Sequence, residues 1–254
     1  EGVKITYDFF PYTKTGSSLF TTLPQWFRKC SPEEAMLILS SAGDKRRQEL
    51  KDYLRKMTLH YDKIIIASAT SGFGAPGKTV RQIADESDRD GEEVILNLLE
   101  ANDLRVSIFN EVISEFNLDL IAKDRFSVVS SDGVGYDFSA KKTNDLPHPR
   151  SFGTFPRAIS QLVKKKGIMT LETMISKMTG LPAHILGIKD RGTIEKDKKA
   201  DLVVFDEGAI EDIATYEKPF TSSSGIQFVF VNGQAVISSG KATGLLPGKA
   251  LRKR

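Results

Sequence analysis

A single cysteine, Cys30, stands in 254 residues, so no internal disulfide forms and the sequence suits a reducing compartment. No apolar run approaches the ~20 residues that a membrane span needs, and no signal peptide is legible at the start. These absences predict a soluble, cytoplasmic protein with no membrane partner. Charge of one sign is also scarce. Lysine and arginine number 36 against 33 acidic residues, a formal net charge of +3 spread through the whole chain. The basic clusters Lys164 to Lys166 and Arg252 to Arg254 carry no interleaved aromatics on which bases would stack. Nucleic acid is therefore set aside as a partner. Histidine is nearly absent, at three residues, and internal repeats are missing altogether. What remains is a chain of 40% apolar residues, enough for one sizeable domain or for a large piece of a barrel with something appended.

Val3, Ile5, Tyr7 and Phe9 alternate as a strand does, and so abrupt a start predicts that sequence is missing upstream. From Ser31 to about Asn102 the reading is mainly helical. Ser31 is a predicted N-cap, Pro32 fits the first helical position and Glu34 can complete a capping box. A second helix follows Asp44, with Leu50, Tyr53, Leu54 and Met57 on one face. Within this block Ile64 to Ala67 reads as a short strand, Ser71 to Gly77 as a loop, and Val80 to Glu86 and Glu92 to Glu100 as helices. Phe126 to Gly133 is an apolar run ending in small and polar residues, as a buried barrel strand ends at its catalytic face. A helix is predicted near Phe155 to Lys166, with Thr154 as N-cap and Pro156 in the first turn. Another spans about Leu171 to Met178 and stops at Thr179-Gly180-Leu181-Pro182. After Gly192 the period changes to two. Leu202 to Phe205 and Phe228 to Val231 read as strands, and Asn232-Gly233 as the two-residue type I′ turn into Ala235 to Ile237.

Three patterns suggest chemistry. Gly72 to Thr79 reads literally as GxxxxGKT after a strand and before a helix, which makes a nucleotide-binding module one reading and a chance match the other. Ser131-Asp132-Gly133 is ordinary turn chemistry as well as a well-placed carboxylate. His60, His148 and His184 form neither a His-x-His pair nor a helical ligand pair, so the chain offers no histidine metal site of its own.

Several segments, read in order, resemble the N-acyl-D-amino-acid deacylase family of the amidohydrolase superfamily. They are Phe10-Pro11-Tyr12-Thr13 followed by Gly16-Ser17; Ser131-Asp132-Gly133; the run from His148 to Arg157, HPRSFGTFPR; Lys177 to Ala183; Asp190-Arg191-Gly192; Ala200 to Asp206; and Val231-Asn232-Gly233 with Gly244 and Pro247-Gly248. The HPRSFGTFPR run is the most specific. Two departures stand out: Phe10 replaces the opening tyrosine of the family's YPYT, and one extra residue, Lys14 or Thr15, precedes Gly16-Ser17.

The resemblance implies an α/β fold comprising the C-terminal part of a (β/α)8, or TIM, barrel with a helical insertion, plus part of a small β-sandwich. The expected partial barrel spans 1–190, with the insertion at about 28–103, and the sandwich segment spans 191–254. The implied activity is metal-dependent hydrolysis of an amide, most simply of N-acyl-D-amino acids. The implied cofactor is zinc, whose histidine ligands precede the segment where this chain starts. The implied site has Asp132 as catalytic base and metal ligand, with Tyr12, Ser17, His148, Arg150 and Arg157 on the substrate. A guanidinium grips a carboxylate with two hydrogen bonds, although either arginine could brace the loop instead. A separate N-terminal half or a homo-oligomer would complete such a site. The alternative is a non-catalytic fragment or subunit.

Overall fold

The computed structural model describes residues 2–3, 5–70, 76–136 and 145–252. Among the described residues two separate hydrophobic cores form. The first element, β1 (Tyr7–Phe9), lies parallel to β5 (Ser127–Val129), Tyr7 opposite Ser127 and Phe9 opposite Val129. Parallel neighbours require a long crossover, and here it contains the whole first core.

That crossover follows its sequence from Ser31 to Asn102, helices around one strand, and adds two strands outside those bounds. Beside β3 (Ile64–Ala69) it holds β2 (Lys14–Ser18) and β4 (Val106–Glu111), forming an antiparallel sheet in the order β2-β4-β3. The α-helices described beside this sheet are α1 (Gln25–Arg28), α2 (Pro32–Ser40), α3 (Lys45–Lys56), α4 (Val80–Ser87) and α5 (Gly91–Ala101). Leu50 and Leu54 of α3, Ile95 and Leu98 of α5, and Ile64 and Ile66 of β3 are fully buried together. Ser31 caps α2 as its sequence predicts, accepting from Glu34 N at 3.2 Å. The capping box is not closed, however, because the Glu34 carboxylate turns to Arg46 at 3.0 Å. Arg47 ties α3 to α5, reaching Glu93 at 2.6 Å, Asn97 at 3.0 Å and the Leu39 carbonyl at 2.9 Å. That arginine, more than any other group, holds the Glu93 carboxyl down at about 2.

The described part of the GxxxxGKT stretch does not form a phosphate cradle. Gly77 N donates to Ile66 O at 2.8 Å and Ile66 N to Lys78 O at 2.9 Å, so this backbone extends β3 as a hairpin partner. Lys78 pairs with Glu86 at 2.6 Å, and Thr79 caps α4 in a reciprocal box with Gln82. Ser71 to Ala75 lie outside the described residues.

The second core joins Phe9 and Val129 to α6 (Glu115–Lys123), to a long helix after residue 150, and to α8 (Leu171–Met178). Lys177, on α8, is 4% exposed. Its ammonium donates to the carbonyls of Asp124 and Ser127 and to the Ser127 hydroxyl. Burial pushes its pKa down, and the three bonds fix the start of β5.

The long helix starts earlier than Phe155. Its first part is α7 (Arg150–Arg157), preceded by Pro149, whose φ of −59° is already helical. Thr154 is thus no N-cap. It lies mid-helix, where its hydroxyl donates to Arg150 O at 2.7 Å. Pro156 is likewise internal, and lacking an N–H it leaves Phe152 O without its helical donor. The Ser223 hydroxyl supplies one at 3.2 Å. Beyond the proline the helix widens into a π-helix over Ala158–Lys165. After α8 the chain turns at Thr179 and resumes as α9 (Gly180–Leu186) rather than stopping.

The tail is an antiparallel sheet of β6 (Leu202–Phe205), β7 (Ile226–Val231), β8 (Gln234–Ser238) and β9 (Lys241–Ala242), with Val203 opposite Val229. Asn232 and Gly233, at φ +49° and +79°, make the predicted type I′ turn. Arg191 joins Asp201 to the Asn232 side chain, and Asp201 accepts Asn232 N at 2.7 Å. Three separate family motifs therefore meet in one polar knot. No helix among the described residues is long and apolar enough to cross a membrane.

Candidate functional site

Past Val129 the β5 strand runs out, and its last ladder bond is Ser130 N to Phe9 O at 2.9 Å. The Ser130 hydroxyl donates to Asp8 on the neighbouring strand at 2.6 Å. The chain then leaves the sheet. Ser131 Oγ accepts Gly133 N at 3.2 Å, and Asp132 sits at φ +44°, a conformation that aspartate tolerates better than most residues. Gly133 passes so close to α7 that a Cβ there would meet Ser151 Cα at 2.9 Å. Val134 N donates to Ser151 Oγ at 3.2 Å. Ser-Asp-Gly thus follows the C-terminal end of a parallel strand and is pinned to the start of α7.

This docking brings Asp132 and Arg150 together. Asp132 Oδ2 lies 2.9 Å from an Arg150 Nη, with side chains 63% and 13% exposed. The guanidinium also lies over the Phe10 ring, 4.9 Å from its centroid. The pair thus sets a carboxylate open to solvent beside a mostly covered guanidinium.

The other predicted residues sort differently. His148 is buried and both its ring nitrogens are engaged: Nδ1 accepts Arg150 N at 3.0 Å, and Nε2 faces Lys14 O at 2.9 Å. Neither is left for substrate in this conformation. Burial pushes its pKa down to about 4, so it is neutral near pH 7. Arg157 braces rather than reaches out, donating to Pro11 O at 2.6 Å and to Asp212 at 2.9 Å while covering the Tyr12 ring. Tyr12 is 2% exposed, too enclosed here to line an open pocket, and its hydroxyl has no hydrogen-bond partner among the described residues. Burial pushes that phenol well up. Ser17 is exposed on β2, where its hydroxyl bonds Thr21 at 3.1 Å. Among the described residues it shares no bond with Asp132 or Arg150.

The N-terminus of α7 adds less than the sequence suggests. The N–H groups of Arg150, Ser151, Phe152 and Gly153 are all satisfied within the chain, by His148 and Pro149. They offer no open anion cradle.

Asp212 is the residue that sequence reasoning missed. Its side chain is 4% exposed and accepts from Arg157 and, at 3.0 Å, from Ser160. No motif surrounds it in the sequence. The rings around His148, Phe109 and Tyr216 at 5.4 and 5.1 Å, were likewise invisible as a group.

Among the described residues no three His, Cys, Asp or Glu side chains stand together to hold an ion. His60 and His184 are exposed, in the crossover unit and on α9. The donor set at Asp132 fits one ligand of a metal site and not the usual three.

Residues 142–237 match the model of the amidohydrolase family. Over those residues the chain is similar to amidohydrolases. Two curated relatives come from Alcaligenes xylosoxydans xylosoxydans. D-aminoacylase is 39% identical over 127 residues, 50% of this chain and 25% of the relative. N-acyl-D-aspartate deacylase is 32% identical over 177 residues, 70% of this chain and 33% of the relative. Among solved structures, N-acyl-D-glutamate deacylase from Bordetella bronchiseptica superposes with a TM-score of 0.68 at 26% identity. The match covers 95% of this chain and 42% of that one. That structure is complexed with zinc and a phosphonate inhibitor, a mimic of the reaction's tetrahedral intermediate. The chain thus spans about a quarter to a third of the length of these curated relatives.

Proposed function

We propose that the chain is the part of a metal-dependent N-acyl-D-amino-acid deacylase that supplies the last-strand carboxylate and an anion-binding arginine. The observation that carries the reading is the Asp132–Arg150 pair at the open end of a parallel strand. Support comes from relatives that act on N-acyl-D-amino acids by name, and from a structural neighbour that holds zinc. Zinc, when bound to a full ligand set, would lower the pKa of a coordinated water.

Two groups of this chain have roles in the proposal. Arg150 binds the substrate carboxylate, and its contact with the Phe10 ring restrains the guanidinium. Asp132 holds a proton between attack and departure of the amine, a task that needs a carboxylate fixed within hydrogen-bond reach of the reacting atoms. Tyr12 meets the rings of Phe10 and His148, and Arg157 covers Tyr12 in turn.

The test uses the chain joined behind the N-terminal barrel segment of a D-aminoacylase, which the family resemblance expects to carry the histidine ligands. Arg150→Met should raise the KM for an N-acyl-D-amino acid roughly tenfold to a hundredfold, the worth of a charge-assisted bidentate contact, and change kcat far less. An unchanged KM would remove Arg150 from the substrate site.

A further inference from the structure

We infer that His148 is a positioning residue: its neutral imidazole fixes the start of α7, and with it Arg150, opposite Asp132, and links that position to the sheet of the crossover unit. The inference rests on the reading of Arg150 as the anion-binding group and assigns His148 a place outside the substrate contacts.

The tautomer follows from the donors around the ring. Arg150 N–H points at Nδ1 at 3.0 Å, so Nδ1 must be the unprotonated nitrogen and Nε2 carries the hydrogen. Nε2–H then donates to Lys14 O at 2.9 Å. The first bond has the geometry of an Asx turn, a side-chain acceptor taking the backbone N–H two residues on. It also satisfies one of the donors that every helix leaves open at its first turn. Because Pro149 separates the two residues and fixes its own φ, this short loop has little other freedom.

The second bond reaches a different unit. Lys14 opens β2, whose register against β4 sets Lys14 opposite Glu111 and Gly16 opposite Phe109. The Phe109 ring in turn meets the imidazole edge-on. Tyr12 and Tyr216 close two further sides at 5.1 Å. The ring is therefore held from both units, and a shift of β2 pulls on the residue that holds Arg150. Low polarity around the imidazole keeps it neutral and Nδ1 free to accept near pH 7.

Two substitutions separate the bonds. His148→Asn places an amide oxygen near the Nδ1 position and preserves the cap on Arg150 N. His148→Gln keeps a donor within reach of Lys14 O but loses that cap. The readout is the rate at which phenylglyoxal modifies Arg150 in the intact chain, followed by peptide mass spectrometry. Arg47, 10% exposed in the other core, serves as the internal reference. His148→Asn should leave Arg150 within about twofold of the wild-type rate. His148→Gln should raise it at least about fivefold, the scale set by losing one such hydrogen bond, with Arg47 unchanged. Wild-type protection in His148→Gln would overturn the inference, as would equal exposure in both variants. Arg47 rising in step with Arg150 would also overturn it, by showing that His148 holds the fold and not the arginine. The measurement involves neither turnover nor metal, so a failure of the deacylase reading would appear separately, as absent hydrolysis by the joined protein with Arg150 still protected.

Discussion

Asp132→Asn is expected to lower hydrolysis of an N-acyl-D-amino acid by about a hundredfold to ten-thousandfold when the chain is joined to the N-terminal barrel segment, with little change in folding stability. The first half follows from the role of a positioned base, which contributes about that factor. An amide at the same place still accepts a hydrogen bond but takes up no proton at neutral pH. The second half follows from exposure. The Asp132 side chain is 63% exposed with a single ion pair to Arg150, and such pairs contribute about 0–1 kcal/mol. Asparagine also tolerates the φ of +44° that alanine would resist. Parallel measurements of kcat and of the thermal midpoint check this. Turnover within about threefold of wild type would reduce Asp132 to a turn residue.

Asp212→Ala should produce the opposite pattern, a large loss of stability from a residue outside the proposed chemistry. Its carboxylate is almost wholly buried and satisfies Arg157 Nη and the Ser160 hydroxyl. Removing one member of a buried pair costs about 3–5 kcal/mol, because the remaining charge loses its partner. Arg157 is 29% exposed and regains some hydration, which sets the expectation near the lower end, about 3 kcal/mol. For a chain of this size that corresponds to a fall of roughly 6–12 °C in Tm. Asp212→Asn keeps an acceptor for Ser160 and should cost less. A thermal scan of the three proteins decides it, and a fall of under about 2 °C for the alanine variant would show that the pair contributes little.

Local signals proved legible and distant ones did not. The Ser31 cap, the α8 stripe and the Asn232-Gly233 turn are each written within a few residues, where geometry and residue type are tightly linked. β2 and β4 were not legible, because each is a strand only by virtue of a partner far along the chain: Lys14 lies opposite Glu111. The start of α7 was misplaced for a specific reason. Thr154 has the chemistry of a cap, but the group that takes the first N–H is His148, a residue rarely used in that role. Pro156, which fits a first turn, is tolerated mid-helix because Ser223 replaces the missing donor. The candidate site divides the same way. Asp132 and Arg150 stood out through family motifs and were then found in contact, whereas Asp212 and Tyr216 belong to an irregular segment with no pattern to read. Arg157 was legible as a residue and not in its orientation, since its partner could not be foreseen.

The central claim is that this chain brings one ligand of a metal site and the means to hold an anion, while the remaining ligands lie elsewhere in the family's fold. Zinc content tests it most directly. The 254-residue chain, purified without chelator and dialysed against metal-free buffer, should retain far less than one zinc per chain by elemental analysis. Asp132→Ala should not change that value, since one carboxylate cannot by itself hold the ion tightly. One zinc per wild-type chain, lost in Asp132→Ala, would contradict the account and show that these residues build a complete metal centre on their own.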